Sequence, residues 1–287
     1  MKISEKSLGI VAGGGGMRCA YSAGVLYALA KELELKAPKY LVGSSGTAAT
    51  ALMYALKEYE LLKRVWIKDL SLEEHRRLIA RWRLLKIFDV DYLVDEIIKP
   101  YERPAHDKIL RESRTNLFLA ATGADNGRVD FFDVRKEKKH AVYEILRASK
   151  AIPVAFRRKV MLAGRRYVDG AIGAPLVDSV RFLEEKGAKN VLVIKNEYGI
   201  PFTNKVMFWI YSWLVNKRLG KSIRRYVRQN DRDILALEGV NVFILEPSRR
   251  LKASSLSLKR EKLEDAFNLG VSDVKTSGSL HSFLAHL

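Results

Sequence analysis

Short runs of uninterrupted apolar residues alternate along this chain with longer stretches in which apolar positions recur every three or four residues. That alternation predicts strands and helices in turn. Leu8 to Ala12 (LGIVA) reads as a first strand buried on both faces, and four glycines, Gly13 to Gly16, follow at once. Behind them Ala20, Ala23, Val25, Leu26 and Leu29 share one face of a helix. Tyr40, Leu41 and Val42 end a second strand, and Gly43-Ser44-Ser45-Gly46 is a tight turn of small residues. Thr47 to Ala55 then starts a helix in which Ala48, Ala49, Ala51 and Ala55 are small enough to lie close on a sheet. Strand, glycine loop, helix and strand make a βαβ opening, which predicts a largely parallel, covered sheet.

From Glu58 to about Ile98 the pattern is helical and strongly charged, and within it Leu78, Ile79, Trp82, Leu85 and Phe88 keep helical spacing over Arg76 to Phe88. Asn116 to Thr122 returns to strand character. Gly123 to Gly127 is turn-rich and leads into Arg128 to Val134, which predicts a hairpin. Val142 to Ala151 reads as a helix stopped by Ile152-Pro153, and Val160 to Leu162 with Arg166 to Val168 as two short strands leading to Asp169-Gly170. A helix over Leu176 to Lys186, strands over Asn190 to Ile194 and Val240 to Leu245, and an amphipathic helix over Lys259 to Leu269 complete the list, with the tail from Lys275 expected to be loosely held. No repeat or low-complexity linker interrupts the chain, so a single domain over 1–287 is expected, with helical cap segments at about 58–98 and 200–235.

Charge changes this picture at one place. The formal net charge of +18 favours polyanions, either nucleic acid or an anionic membrane surface. Ile200 to Val215 is the most apolar stretch and rich in aromatics, and Lys217, Arg218, Lys221, Arg224, Arg225 and Arg228 follow it. That arrangement is either a buried helix before a solvated basic one or a peripheral contact with anionic lipid. The basic residues interleave with apolar helix faces and form no nucleic-acid reading motif, so no specific nucleic-acid partner is expected. The single cysteine, Cys19, excludes an internal disulfide, and there is no metal-ligand cluster or calcium loop, so no metal and no cofactor are expected. The N-terminus has no apolar core of signal-peptide type and no run reaches the length of a membrane span, which places the expected location in the cytoplasm, with any membrane contact peripheral and at its inner surface.

Three features carry chemistry. A serine on a sharp strand-to-helix turn projects its hydroxyl clear of the sheet. The glycine loop supplies backbone N–H donors at a helix start, suited to an oxyanion. Asp169, before Gly170 at a strand end, supplies a carboxylate. Set in order as GGGGMRCAYSAGVL, VGSSG, ASKAIPVAF and YVDGAIGAP, these residues resemble the patatin-like phospholipases, particularly the bacterial lipid acyl hydrolases. The resemblance runs from about Leu8 to Val180, with VFILEPS and the helix beyond it similar to that group's C-terminal part. It implies a three-layer α/β/α sandwich with a central, mostly parallel sheet and a lipid or other acyl-ester substrate. It also implies a Ser-Asp dyad of Ser45 and Asp169 and an oxyanion loop carried by Gly14, Gly15, Gly16 and Arg18. Two positions depart from the family pattern. Thr47 stands where the last glycine of Gly-x-Ser-x-Gly belongs, and Cys19 where a glycine follows the arginine. Both are expected to weigh on full activity, Thr47 by shifting the serine turn.

The residues leave rivals. Ser45, Asp169 and His281 follow the chain order of a histidine-dependent α/β-hydrolase, although all five histidines lie among charged residues or near the C-terminus. A dinucleotide loop fails at its third glycine, which is Cys19, and lacks an acid after a second strand. A non-catalytic, lipid-binding relative with a disabled serine turn is the third reading.

Overall fold

Successive strand residues point into two different apolar layers, as a sheet covered on both faces requires. The computed structural model describes residues 7–71, 75, 78, 88–153, 156, 160–197 and 202–287. Leu8, Ile10 and Ala12 of β1 (Leu8–Ala12) enter the larger layer, while Val11 enters the smaller. Leu41 of β2 (Tyr40–Gly43) and Leu117, Leu119 and Ala121 of β3 (Asn116–Gly123) do the same, against Tyr40, Val42 and Phe118 on the opposite face. The expected three-layer α/β/α sandwich is therefore what the chain forms.

The sheet has eight strands among the described residues: seven pair along the path β5-β6-β3-β2-β1-β7-β8, and the eighth, β4, pairs with β3 off this path. The remaining strands are β4 (Val129–Asp133), β5 (Val160–Leu162), β6 (Arg165–Asp169), β7 (Asn190–Ile194) and β8 (Asn241–Leu245). Strands β3, β2, β1, β7 and β8 run parallel; β4, β5 and β6 add antiparallel pairings. The expected hairpin is β3–β4. Between β5 and β6, Ala163 and Gly164 both have positive φ (46° and 77°), as the tightest hairpin turn demands.

One pairing detail builds the site. β2 pairs with the first half of β3, ending at Gly43 opposite Leu119, whereas β6 pairs with its last residues, ending at Asp169 opposite Ala121. Because β4 spans both halves on the other edge, β2 and β6 lie on the same edge of β3 and meet end to end. Their C-terminal residues are two positions apart along β3, roughly 7 Å at the rise of a strand.

Helix α1 (Ala20–Lys31) follows the glycine loop, α2 (Thr47–Ala55) follows the serine turn, and α3 (Tyr59–Ile67) is the first part of the charged segment. A short α4 (Val90–Tyr92) runs on as a π-helix over Leu93–Ile98, and α5 (His106–Glu112) leads to β3. Of the helix expected over Arg76 to Phe88, only Leu78 and Phe88 lie within the described residues. Then come α6 (Lys139–Lys150), the single turn α7 (Gly170–Gly173), α8 (Leu176–Glu185), α9 (Phe202–Leu214), α10 (Lys217–Arg228) and α11 (Asp231–Leu235).

The C-terminal expectation needs correction. The amphipathic helix is longer, α12 (Arg260–Thr276), and the tail forms a further helix, α13 (Gly278–Ala285). Leu280 and Leu284 are fully buried, Phe283 stacks on Phe243 of β8 at 5.4 Å, and Ser277 caps the helix by accepting from Leu280 N. The apolar spacing of three residues over eight was enough to dock it, and one capping hydroxyl starts it.

Candidate active site

Ser45 is held in a conformation that serines seldom adopt. Its φ is +54°, in the left-handed region, on the turn between β2 and α2. Three contacts fix it. Ser45 N donates to the Ser149 hydroxyl at 3.0 Å, and Lys150 Nζ donates to Ser45 O at 2.7 Å and Gly46 O at 3.3 Å. The third is Thr47, whose buried hydroxyl accepts from Ser44 N at 3.1 Å and lies 2.7 Å from Ala12 O and 2.8 Å from Ser44 O. The departure at Thr47 thus ties the end of β1 to the serine turn. Close approach is needed instead at Gly43, where a Cβ would lie 2.7 Å from that of Ala51.

Asp169 is buried beside this turn. Its backbone is fixed by Asp169 N donating to Ala151 O at 2.9 Å and by the Thr122 hydroxyl, which donates to Asp169 O at 2.8 Å. Its Oδ1 accepts from Ala171 N at 2.9 Å, so the carboxylate caps α7. Its Oδ2 is buried and has no hydrogen-bond partner among the described residues. Burial pushes the carboxyl up to about 6, against the opposing pull of the Ser45 hydroxyl, the Ala171 amide and the Lys150 charge. Ser45 is close enough to act on the acid's charge, although no hydrogen bond of good geometry joins them.

The glycine loop leans over the pair. A Cβ on Gly14 would fall 3.0 Å from that of Ser45 and 2.9 Å from that of Ala171, so only glycine lets the backbone approach here. Gly16 has φ +61° and would strike Ser255 O at 2.4 Å with any side chain. The loop is anchored from outside: Gly13 N donates to Ile194 O, Met17 N to Ser255 O, and Asn196 Nδ2 to Gly13 O at 2.6 Å. The amides of Gly14, Gly15 and Gly16 donate to no protein acceptor among the described residues. Arg18 pairs with Glu197 and donates from Nε to Gly15 O at 3.4 Å. Cys19 has an ordinary helical φ of −63°, so the position needs no glycine freedom, and burial pushes its thiol up to about 12.

Of the six residues singled out from the sequence, Ser45, Asp169 and Gly14 lie together, Gly15 and Gly16 continue the loop, and Arg18 is bonded to Gly15 O. Sequence reasoning gave no role to Ser149, Lys150 or Asn196. The first two stand in the ASKAIPVAF motif and were within reach; Asn196, just past β7, carried no signal. Burial pulls the Lys150 ammonium down to about 8. His281, the residue a histidine triad would need, bonds through Nε2 to Val274 O at 2.8 Å. None of the five histidines lines either cavity beside the serine turn. Among the described residues no group of acidic, histidine or cysteine side chains has the arrangement of a metal site.

Two cavities flank the serine turn. One, about 370 Å³, has mixed polar and apolar walls and runs between Gly14, Ser44, Asn196 and the end of α10 at Tyr226 and Gln229. The other is a narrow apolar slot of about 70 Å³ that opens on Ser45, with Met53, Trp66, Leu93 and Ile98 among its walls and Lys150 at its mouth.

A parallel sandwich in which a strand hands a left-handed serine to a helix, beneath a glycine loop and beside a strand-end Asp-Gly, has the patatin-like layout. The chain belongs to the patatin-like phospholipase family, whose model matches residues 10–178. It is 25% identical over 250 residues to YjjU of Escherichia coli K12, described as an uncharacterized protein, covering 85% of this chain and 66% of that one. Among solved structures it is similar to VipD from Legionella pneumophila (12% identity, 99% of this chain and 68% of that one, TM-score 0.46). It is also similar to human GIVD cytosolic phospholipase A2 in complex with methyl gamma-linolenyl fluorophosphonate (14% identity, 98% and 59%, TM-score 0.48). The chain thus spans about two thirds or less of the length of these relatives.

Proposed function

We propose that this chain is a serine lipid acyl hydrolase, one patatin-like domain over 1–287 in which Ser45 is the nucleophile and Asp169 the base. The observation that carries the reading is a serine at φ +54° facing a buried carboxylate with one oxygen unbonded. Ser45 Oγ attacks an ester carbonyl and its proton passes to Asp169 Oδ2. The carbonyl oxygen becomes an oxyanion within reach of the free amides of Gly14, Gly15 and Gly16, each such donor contributing on the order of 3–4 kcal/mol. The tetrahedral adduct collapses, the C–O bond to the alcohol breaks, and Asp169 returns the proton to the departing alkoxide. Water then attacks the acyl-serine as Asp169 takes its proton; the acyl–Oγ bond breaks, the carboxylic acid leaves, and Asp169 returns the proton to Ser45 Oγ.

An aspartate serves as base here because burial lifts it to about 6, closer to neutral pH than a solvated carboxylate. Arg18 acts through the loop by holding Gly15. The apolar slot gives an acyl chain a dry path to Ser45, and the wider cavity, with Asn196, Gln229 and Asn230 in its wall, suits the alcohol or headgroup side. Segments 58–98 and 202–235 contribute walls to these cavities and act as caps, as Trp66 and Leu93 do on one side and Tyr226 and Gln229 on the other.

The test is hydrolysis of a soluble short-chain ester and of a phospholipid, together with fluorophosphonate labelling. Ser45→Ala is expected to abolish labelling and lower kcat by roughly 10³-fold or more, and Asp169→Asn to cost a comparable factor. Unchanged activity in both variants would end the dyad reading. Labelling without turnover in the wild type would favour the impaired, lipid-binding relative.

A further inference from the structure

Helix α9 has two apolar faces, and the fold uses one. Phe208, Tyr211 and Val215 pack inward against Ile172, Leu219 and Ile223. On the other side Val206, Trp209, Ile210, Trp213 and Leu214 follow one another at i, i+3, i+4, i+7 and i+8, the spacing of a core-facing stripe. They are exposed, Trp213 by 66% and Leu214 by 76%, and the two indoles lie edge to face at 6.0 Å. Five large apolar side chains in one contiguous solvent-facing row are not the scattered exposure of an ordinary surface. Among the described residues no helix is long and apolar enough to cross a membrane.

Its surroundings identify what covers it. Helix α10 packs beside α9 and exposes Lys217, Arg218, Lys221, Arg225 and Arg228. Arg128, Arg218, Lys221 and Arg225 line an open cleft of about 830 Å³ between α10 and the β3–β4 turn, in which Asp178 is the acid. Arg225 takes Asp178 with both contacts at 2.8 Å, and no carboxylate pairs with Arg128, Arg218 or Lys221 among the described residues. Unpaired guanidinium and ammonium groups facing one opening suit phosphate oxygens. Indoles beside cations are the composition of an element lying at the headgroup level of an anionic membrane. A second copy is disfavoured, since pairing two such stripes about a two-fold axis brings two basic helices together.

We propose that α9 and α10 form a docking surface for an anionic phospholipid bilayer. Trp209, Ile210, Trp213 and Leu214 enter the headgroup layer, and Arg128, Arg218 and Lys221 hold lipid phosphates. The C-terminal end of α10 also lines the cavity beside Gly14 and Ser44, through Tyr226 and Val227. The surface uses neither Ser45 nor Asp169, and it stands or falls separately from the hydrolase reading.

The experiment is vesicle flotation of the full chain with phosphatidylcholine alone and with phosphatidylcholine mixed with phosphatidylglycerol, at low and high salt. Wild type is expected to float with the anionic vesicles, weakly at high salt and weakly with phosphatidylcholine alone. Trp209→Ala/Trp213→Ala is expected to weaken binding by about ten-fold or more, from the apolar area withdrawn. Arg218→Glu/Lys221→Glu is expected to erase the preference for phosphatidylglycerol. Hydrolysis of a soluble ester by the tryptophan variant should match wild type, which establishes that the fold is intact. If wild type does not hydrolyse that ester, the hydrolase reading fails while the flotation result still decides the docking. Wild type that ignores anionic vesicles, or a tryptophan variant that binds them as tightly, overturns the proposal. So does a wild-type dimer that the tryptophan substitutions dissociate in the absence of vesicle binding.

Discussion

Lys150 is the residue whose role reaches furthest beyond its motif. Its buried ammonium donates to the carbonyls that close the serine turn, and its charge acts on Asp169. A base must be ionised to act, and Asp169 loses its charge as pH falls through about 6. The expected kcat/KM on a soluble ester therefore falls on the acid side with a midpoint near that value. Removing the cation raises the carboxyl further, so Lys150→Met should move this limb to higher pH, whereas a purely structural loss would lower the plateau and leave the midpoint in place. Thr47 gives a second prediction. Thr47→Val keeps the shape and strips a hydroxyl bonded to Ser44 and Ala12, so it should cost about 1–3 kcal/mol in urea unfolding. Thr47→Ser should cost less than Thr47→Val, because the hydroxyl stays. The reverse order would mean that the methyl group, not the hydroxyl, is what the site needs. The motif made Lys150 visible, but not its bond to Ser45 O, 105 positions away, nor that of Thr47 to Ala12 O, 35 positions away, because such pairings leave no local pattern.

At the scale of elements, strands were the most legible part. A parallel strand covered on both faces is an apolar run, and LGIVA, NLFLAAT and NVLVI could hardly be read otherwise. The serine turn and Asp-Gly were legible as motifs, but the end-to-end meeting of β2 and β6 along β3 was not, since it is a long-range pairing choice. The C-terminal helices were under-read for a related reason: α12 is held by contact with α1 rather than by its own strong amphipathic stripe. That contact is unusually close. A Cβ on Gly24 of α1 would fall 1.9 Å from Phe267 O, and one on Gly270 of α12 would fall 2.3 Å from Tyr21 O. Backbone meets backbone, and neither can yield as a flexible side chain does. Gly24→Ala and Gly270→Ala are each expected to destabilise by about 1–3 kcal/mol or more, the scale of overpacking, despite the better helix propensity of alanine. Thermal melts of the two variants check this; an unchanged or raised Tm would show that the helices separate without cost.

For the whole molecule, the region matched by the family model ends before two of the strands that complete the sheet. Residues 10–178 contain β2 to β6 and the last three residues of β1, but β7 lies on the other side of β1, pairing from Leu8↔Asn190 to Ala12↔Ile194, and β8 lies beyond it. Without them the open edge of β1 would face water, and Leu8 and Ile10, fully buried in the complete chain, would lose Leu192 and Ile194 from their layer. The layer over α1 would lose Leu263, Phe267 and Val274 as well. The loss reaches the chemistry directly, because the glycine loop is anchored by Ile194 O, Asn196 Nδ2 and Ser255 O, all from this later part. A chain cut after Asp178 retains Ser45, Asp169 and Gly14 to Gly16 but should show no cooperative unfolding transition by circular dichroism and no fluorophosphonate labelling. A cooperative melt with labelling at Ser45 would mean that the matched region is self-sufficient and that the last two strands only decorate it. The geometry argues the opposite: Ser45, Asp169 and the glycine loop lie within the matched region, and the groups that anchor that loop, at Ile194, Asn196 and Ser255, lie beyond it.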